Sequence, residues 1–492
     1  MATVSELSAA WHVDSERRRI QLIAILAVGG SLVSIALLVL AHFASAFLVY
    51  ALLILAAIAW RPQMGLLLAM VLVLIFEYLS DDPLMLVGQY LYSGISGSVV
   101  SPLELLLLFS LGAWLVAGMV RRHLEFRGGR LRWHVTLFVA ALLLGLVRGA
   151  AAGGSSYVAL WEVRFLFYIP VCYFLAANTI RSRKELRLLT AIILLATATY
   201  GIEGAYRKLV LIDTGRMSQQ IDNAWGHDSA VFLSNMILLV LAQRVFGGTA
   251  WQRRLGPLLL PIVAFVLLAS QRRAANVTLL VSLAVFFFVF LIVHRRAFFQ
   301  IAVPLVLAGA IYFPLFWNNT GILGQPARAV RSMITPDVRD EASNYYREVE
   351  KINVRATILA NPLLGVGFGR EFLFVIPLAD LSFWQFWRYE PHNNILWIWL
   401  KTGAPGFAVF WALIGSAIVS AAHFAKALRG PDERSFALFS LGVVISSMVF
   451  CWVDTGLTFP RFAVVLGTTL GTLAVLDQLE DTAAPEQHPE SM

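Results

Sequence analysis

The feature that most constrains this chain is a succession of apolar stretches, each close to the length that spans a lipid bilayer. A transmembrane helix needs about 20 predominantly apolar residues, and such stretches recur along most of the 492 residues. Only 14% of the residues are charged, whereas soluble domains carry about 25%. The pattern therefore predicts an all-α polytopic membrane protein and excludes a soluble one.

The hydropathy pattern predicts about 14 transmembrane helices. They are expected at residues 20–41, 43–60, 63–79, 101–120, 133–152, 163–180, 186–206, 228–246, 257–270, 274–293, 298–317, 403–424, 435–453 and 461–476. The one long interruption, residues 318–402, contains amphipathic stretches and an aromatic cluster that suit a surface on the membrane interface.

The distribution of basic residues predicts the orientation, because cytoplasmic loops of membrane proteins are rich in Lys and Arg. With the N-terminus inside, 21 of the 38 basic residues fall in inside loops and eight at outside positions, while nine lie in residues 318–402. Long segments translocate largely regardless of charge. We therefore expect a cytoplasmic segment 1–19, eleven helices over 20–317, a large and mostly helical external (periplasmic) loop over 318–402, three helices over 403–476 and a disordered cytoplasmic tail over 477–492.

The usual signatures of soluble enzymes are missing from the sequence. Cys172 and Cys451 both fall inside apolar stretches, so they imply neither a disulfide framework nor a metal site. The sequence contains no glycine-rich phosphate loop, HExxH pair or EF-hand loop. We predict that the protein uses no cofactor or metal and binds no nucleic acid. We expect membrane lipids to be among its partners.

The positive-inside rule disfavours basic residues at outside positions, so those predicted there require an explanation. Arg272 and Arg273 lie in a very short outside turn between two predicted helices. One interpretation is that both side chains extend to lipid phosphates at the interface. The other is that they form a fixed anion clamp for a diphosphate, because guanidinium groups bind phosphate oxygens through two parallel hydrogen bonds.

Three further residues are candidates by position. Arg164 ends a predicted span on the outside, where it could face the helix bundle, pair locally with Glu162 or contact lipid. His392 stands where the external loop re-enters the membrane, and its ordinary pKa near 6.5 suits proton transfer, although a single histidine is usually structural or merely exposed. His227 is a weaker candidate, since capping of the following helix by Asp228 explains this dipeptide equally well.

Several motifs in the second half of the chain resemble one family. His392-Asn393, nine residues and then Gly403 to Gly406 fit the pattern H-[NSQ]-x9-G-x-x-G. Upstream, residues 361–369 read NPLLGVGFG and are preceded by Arg347. With these motifs the chain resembles the O-antigen ligase and O-antigen polymerase superfamily, which are bacterial membrane glycosyltransferases.

Two earlier positions extend the resemblance. Arg272-Arg273 falls where the family carries an outer-face arginine after a serine, and Arg164 falls where it has an earlier arginine. The family's arginine is often followed by leucine four residues later, but Val277 stands there in this chain. The double arginine leaves open which of the two corresponds to the family residue.

The resemblance implies transfer of a glycan from a polyprenyl (undecaprenyl) diphosphate carrier to an acceptor hydroxyl. It implies an acceptor such as a lipid A core, an active site at the outer face of the bacterial inner membrane, inversion of configuration and no metal. Arg164, Arg272 and Arg273 would stabilise the departing diphosphate, and His392 would orient or deprotonate the acceptor hydroxyl. The predicted substrate-binding residues are Arg347, Asn393, Gly365, Gly367 and His227.

Three alternatives remain open. A polysaccharide polymerase would use the same donor class with a second lipid-linked glycan as acceptor. A transporter or flippase for lipid-linked sugars would carry charges through mid-membrane positions or broken helices in repeated halves, whereas the candidates here gather at one face. A cell-wall polymerase of the shape, elongation and division type would need a catalytic carboxylate, which has no convincing counterpart in the sequence.

Overall fold

The computed structural model describes residues 43–77, 86–93, 100–120, 125–216, 224–226, 228–319, 321–336 and 338–481. These residues form helices joined by turns and loops, and they contain no β-strand. In a bilayer every backbone N–H and C=O group needs a partner within the protein, and a helix supplies these partners within one segment. The predicted all-α class is therefore confirmed.

The α-helices are numbered here in chain order. The first nine are α1 (Phe43–Trp60), α2 (Gln63–Ile75), α3 (Leu86–Tyr92), α4 (Pro102–Val120), α5 (Arg132–Ala151), α6 (Ser156–Arg164), α7 (Tyr168–Thr179), α8 (Arg183–Tyr206) and α9 (Ser229–Phe246). The others are α10 (Ala250–Ala269), α11 (Arg273–Val293), α12 (Arg295–Phe316), α13 (Gln325–Ile334), α14 (Val338–Ala360), α15 (Asn394–Ala427), α16 (Pro431–Val453), α17 (Pro460–Leu473) and α18 (Leu476–Asp481).

Nine helical segments of the described residues are long and apolar enough to cross a membrane. The predicted number of fourteen is not reached by this criterion. The spans predicted at 63–79 and 461–476 form helices of 13 and 14 residues, and those predicted at 43–60 and 228–246 count only as the shorter apolar segments Ala51–Trp60 and Val231–Phe246. The first predicted span, 20–41, lies outside the described residues. The nine segments are Pro102–Val120, Arg132–Ala151, Ser156–Thr179, Arg183–Ile212, Ala250–Ala269, Arg273–Val293, Phe298–Phe316, Asn394–Ala427 and Pro431–Val453.

The described helices fall into two compact units. The smaller unit contains residues 43–65 and 108–120, and the larger one contains the remaining described residues. Within the larger unit, α16 is the most buried spanning helix and packs against α9, α11 and α15. All described site candidates belong to the larger unit.

The segment predicted as an external loop contains two helices, α13 and α14, followed by an irregular stretch over residues 361–393. The span predicted at 403–424 begins earlier, at Asn394, and Gly403 interrupts its helical geometry with a φ of +69°. At Gly403 a Cβ atom would lie 2.1 Å from the carbonyl oxygen of Leu363. The glycine therefore allows α15 to bend around the 361–369 segment.

Candidate active site

His392 precedes α15, and the asparagine of its motif begins that helix. The Asn393 side-chain oxygen accepts a hydrogen bond from the backbone N–H of Leu396 at 3.0 Å. This is the usual contact of a helix N-cap, where asparagine is among the favoured residues. The motif therefore holds His392 at the start of the helix, in the last position of the irregular stretch before the cap.

Glu350 on α14 contacts His392 through both its backbone and its ring. The Glu350 carboxylate accepts the backbone N–H of His392 at 2.8 Å and lies 3.1 Å from Nδ1. The side chain of Glu350 is 3% exposed, whereas that of His392 is 25% exposed. Burial alone would lower the pKa of His392, but Glu350 outweighs this effect, and the pKa is raised above its ordinary value.

A cavity of about 270 Å³ opens beside the imidazole. It is formed by α14, the loop before α15, the first turn of α15 and the end of α16. Cationic, polar and aromatic groups meet there, which is a mixture suited to an anionic and sugar-containing ligand. Its lining residues are Asn344, Arg347, Glu348, Glu350, Lys351, Val354, Pro391, His392, Asn393, Leu396, Trp452 and Val453.

The two cations of the cavity differ in their partners. Lys351 forms an ion pair with Glu348 on the same helix. Arg347 forms no ion pair with a carboxylate among the residues that the structure describes. The guanidinium beside the histidine is therefore not neutralised by a described carboxylate.

Arg273 borders this cavity through one intermediate residue. At the start of α11, its Nε lies 3.2 Å from an Asp340 carboxylate oxygen, and its Nη2 donates to the Asn344 side-chain oxygen at 3.4 Å. Asn344 in turn lines the cavity. The structure therefore brings Arg273 to the same end of the bundle as His392.

Arg272 and Arg164 lie outside the cavity lining. Arg272 precedes α11, and its backbone carbonyl accepts a hydrogen bond from the Asn276 side chain at 3.2 Å. Arg164, at the end of α6, forms an ion pair with Glu104, and its guanidinium lies 4.6 Å from the Trp161 ring. The partner considered from the sequence, Glu162, is not the partner observed.

Glu162 instead forms a buried ion pair with Lys401 on α15. Both side chains are fully buried, and Nζ lies 2.6 Å from the carboxylate. The carboxylate also accepts the backbone N–H of Gly369 at 2.5 Å, while Nζ donates to the Arg370 carbonyl at 2.6 Å. These contacts fasten the end of the 361–369 motif between α6 and α15.

Gly365 and Gly367 lie in close backbone contacts outside the cavity lining. The N–H of Val366, between them, donates to the Leu400 carbonyl at 2.8 Å, and the N–H of Phe368 donates to the Gly145 carbonyl at 3.1 Å. Both glycines have a positive φ. These glycines allow a close approach of backbones that joins α5, the 361–369 segment and α15.

Replacement of Gly367 by alanine is expected to destabilise the fold by about 2–6 kcal/mol. The positive φ would cost about 1–3 kcal/mol, and the new Cβ would lie 2.2 Å from the Gly149 nitrogen, which adds overpacking of about 1–3 kcal/mol. Gly153→Ala is the matched control, since Gly153 has a φ of +76° but no neighbour within 4 Å. Thermal unfolding in detergent should show the larger loss for Gly367→Ala, and equal losses would contradict the packing argument.

His227 lies outside the described residues, but Asp228 is described. Its side chain makes no capping hydrogen bond to α9, so the capping interpretation was wrong. The carboxylate instead lies 3.4 Å from the Arg461 guanidinium in a buried cluster that also contains Glu77 and Ser229. Pairing of this kind is how a buried charge is tolerated inside a membrane protein.

Three carboxylates were not predicted from the sequence: Glu350, Asp340 and Glu104, which pair with His392, Arg273 and Arg164. A weak signal was present for α14, where Asp340, Asn344, Arg347 and Lys351 repeat at helical spacing and so share one face. No signal within the sequence connected Glu350 with His392, because 42 residues separate them.

One segment of the chain matches a known family. Residues 258–411 match the O-antigen ligase family (Wzy_C). Over this segment the chain is similar to the O-antigen ligase superfamily, which supports the resemblance that its motifs predicted. The match covers about a third of the chain and includes Arg272, Arg273, Arg347 and His392, whereas Arg164 precedes it. No curated protein matches the chain.

The family match and the apolar helices together support a coarse assignment. They suggest a multi-pass membrane protein similar to the O-antigen ligases and polymerases, a group of membrane glycosyltransferases. Lipid-linked glycans and glycan acceptors are the substrates of this superfamily in general. Within the matched residues, the spacing of His392 and Gly403 corresponds to one continuous piece of structure, the start of α15 and its bend.

Proposed function

We propose that this O-antigen ligase-like protein transfers a glycan from a polyprenyl diphosphate carrier to an acceptor hydroxyl, such as that of a lipid A core. The reaction would take place at the outer face of the bacterial inner membrane, with inversion at the anomeric carbon and without a metal. One observation carries the proposal. An imidazole and an arginine with no described carboxylate partner line the same cavity at one end of the helix bundle.

The chemistry requires a proton acceptor and stabilisation of a departing anion. The acceptor oxygen forms a bond to the anomeric carbon, and the bond from that carbon to the diphosphate oxygen breaks with its electron pair. His392 accepts the hydroxyl proton, a role that typically accelerates a reaction by about 10²–10⁴-fold. The guanidinium of Arg347 donates hydrogen bonds to the diphosphate as its negative charge grows.

Arg273 supports this assignment from the edge of the cavity. Its hydrogen bond to Asn344 orients a residue of the lining, and a rotation of its side chain from Asp340 would deliver a second guanidinium to the diphosphate. Arg272 and Arg164 would stabilise the departing diphosphate from outside the cavity lining. Arg164 would need to exchange Glu104 for the phosphate in order to bind it.

Trp452 adds a surface for the sugar. This residue is 53% exposed and lines the same cavity as the charged residues of α14. Sugar rings present apolar C–H faces that pack on aromatic rings, and a tryptophan offers the largest such surface with one polar N–H at its edge. The cavity thus combines groups for a glycan with groups for an anion.

The experiment that tests the proposal uses purified full-length protein with a polyprenyl-diphosphate-linked glycan and separate candidate acceptors. Mass analysis should identify the glycan joined to an acceptor hydroxyl together with free polyprenyl diphosphate. A product with two joined lipid-linked glycans would favour the polymerase alternative. Movement of the donor across vesicle membranes without bond cleavage would favour the transporter alternative and contradict the proposal.

Chelation of metal ions is expected to leave this transfer unchanged. In the proposed reaction, guanidinium groups stabilise the diphosphate, which is the role that Mg²⁺ takes in many enzymes. Turnover should be measured with and without EDTA at saturating donor and acceptor. If EDTA abolished turnover and added Mg²⁺ or Mn²⁺ restored it, the metal-free part of the proposal would be wrong.

A further inference from the structure

The contact between Glu350 and His392 fixes the imidazole at two points. The carboxylate accepts the backbone N–H of His392 at 2.8 Å, while its two oxygens lie 3.1 and 3.3 Å from Nδ1. The backbone contact holds the residue in place, and the ring contact limits rotation of the side chain. The ring is also bounded by Tyr346 and Trp384, whose centroids lie 5.7 and 6.0 Å away in edge-on contacts.

The two nitrogens of a histidine ring have different roles once one of them has a fixed partner. An ionised carboxylate can accept a hydrogen bond but cannot donate one. The neighbouring Nδ1 must therefore carry the proton of this hydrogen bond. Nε2 is then the nitrogen that can take a proton from a substrate. A buried carboxylate next to the ring also stabilises the imidazolium that forms when this transfer occurs.

We propose that Glu350 is the positioning residue of His392, holding Nδ1 protonated and leaving Nε2 as the proton acceptor. This inference rests on the proposed function. During transfer, the proton of the acceptor hydroxyl moves to Nε2, the hydroxyl oxygen bonds to the anomeric carbon, and the diphosphate leaves with the electron pair of the broken bond. The resulting imidazolium and the Glu350 carboxylate form an ion pair until the proton passes to water.

Several charges act on the ring besides Glu350. Asp454, which follows α16, acts in the same direction as Glu350, whereas burial and the positive charge of Arg347 oppose protonation. The balance raises the pKa of His392. The other titratable groups that line the cavity or face the ring are Tyr346, Glu348 and Lys351.

The sign of the pH dependence follows from this balance. The base is active only when neutral, so turnover should rise with pH through the raised pKa of His392. Without the Glu350 charge, burial and Arg347 lower the pKa of His392 and only Asp454 raises it. The pH at which turnover rises should therefore be lower than in the wild type. The imidazole would also be less basic, and Nδ1 would no longer be held protonated in every molecule. Both changes should lower the maximal rate.

The first measurement does not depend on turnover. Diethyl pyrocarbonate acylates the neutral imidazole, and His392 is 25% exposed, so its rate of modification can be followed by peptide mass spectrometry over a range of pH. In the wild-type protein, the midpoint is expected above about 6.5, the ordinary histidine value. A midpoint at or below that value would overturn the inference, whether or not any variant folds.

The second measurement compares variants of α14. Glu350→Gln keeps an oxygen that can accept the backbone N–H but removes the charge. It should move the modification midpoint to lower pH and reduce maximal turnover by about 10–10³-fold, since removal of the carboxylate that orients a catalytic histidine costs up to about 10⁴-fold elsewhere. Glu341→Gln, an exposed carboxylate at the start of the same helix, should change neither value.

The outcomes separate this inference from the proposed function. An unchanged pH midpoint and unchanged turnover in Glu350→Gln would overturn the positioning role, even if the protein proved to be a glycosyltransferase. Full turnover in a His392→Ala variant would instead overturn the catalytic role of the histidine. A general loss of structure in Glu350→Gln would be recognised by gel filtration, and Glu350→Asp, which keeps the charge, should then retain the raised midpoint.

Discussion

Replacement of His392 by alanine is expected to lower maximal turnover by about 10²–10⁴-fold, the usual contribution of a general base. The affinity for the donor should change little, because the diphosphate is proposed to bind the neighbouring Arg347. Steady-state kinetics with purified protein, varying donor and acceptor separately, measure both effects. His392→Gln is the more conservative variant, since its amide can still donate to the buried Glu350 carboxylate while it cannot accept the proton.

The matched control for this prediction is His423→Ala, on the helix that follows His392. His423 is exposed and lies near the far end of α15, so its removal should leave turnover within about twofold of the wild type. Each variant should also retain the wild-type unfolding temperature in detergent. Wild-type turnover in both His392 variants would remove the histidine from the mechanism.

The second large effect is expected from Arg347→Ala. Loss of one preorganised donor to a developing negative charge typically costs about 10²–10³-fold in turnover. The donor KM should rise as well, because the same guanidinium contacts the diphosphate in the ground state. Arg347→Lys should restore only part of the activity, since an ammonium group cannot make the paired hydrogen bonds of a guanidinium.

Arg355→Ala provides the control on α14. Arg355 is exposed and does not line the cavity, so its removal changes the net charge equally without touching the proposed site. An increase in salt should weaken donor binding to the wild type more than to Arg347→Ala, because screening acts on the charge that the variant lacks. Equal activity of Arg347→Ala and Arg355→Ala would contradict the proposed anion site.

The helical, membrane-spanning character of the chain was readable from its sequence. Apolar stretches of bilayer length commonly form α-helices, because lipid offers no hydrogen-bond partner for backbone N–H and C=O groups. The exact number of spans was less readable, since α2 and α17 are shorter than their apolar stretches. Hydropathy averages over a window and therefore does not record where a helix ends.

The candidate site was partly readable. The spacing of His392, Asn393 and Gly403 predicted the family, and the match over residues 258–411 confirmed the resemblance. The roles of the individual residues stay predictions. The structure places His392, Asn393 and Arg347 in one cavity and Arg273 at its edge, while Arg164, Arg272, Gly365 and Gly367 lie outside its lining.

The sequence by itself determined that the chain crosses a membrane in many helices and that it carries the motifs of one glycosyltransferase superfamily. Only the tertiary structure decided which charges neutralise one another. Arg164 pairs with Glu104 rather than Glu162, Glu162 pairs with Lys401, and Glu350 pairs with His392. These partners lie far apart along the chain and meet because helix packing brings their ends together, and buried charges are stable only where such a partner is within reach.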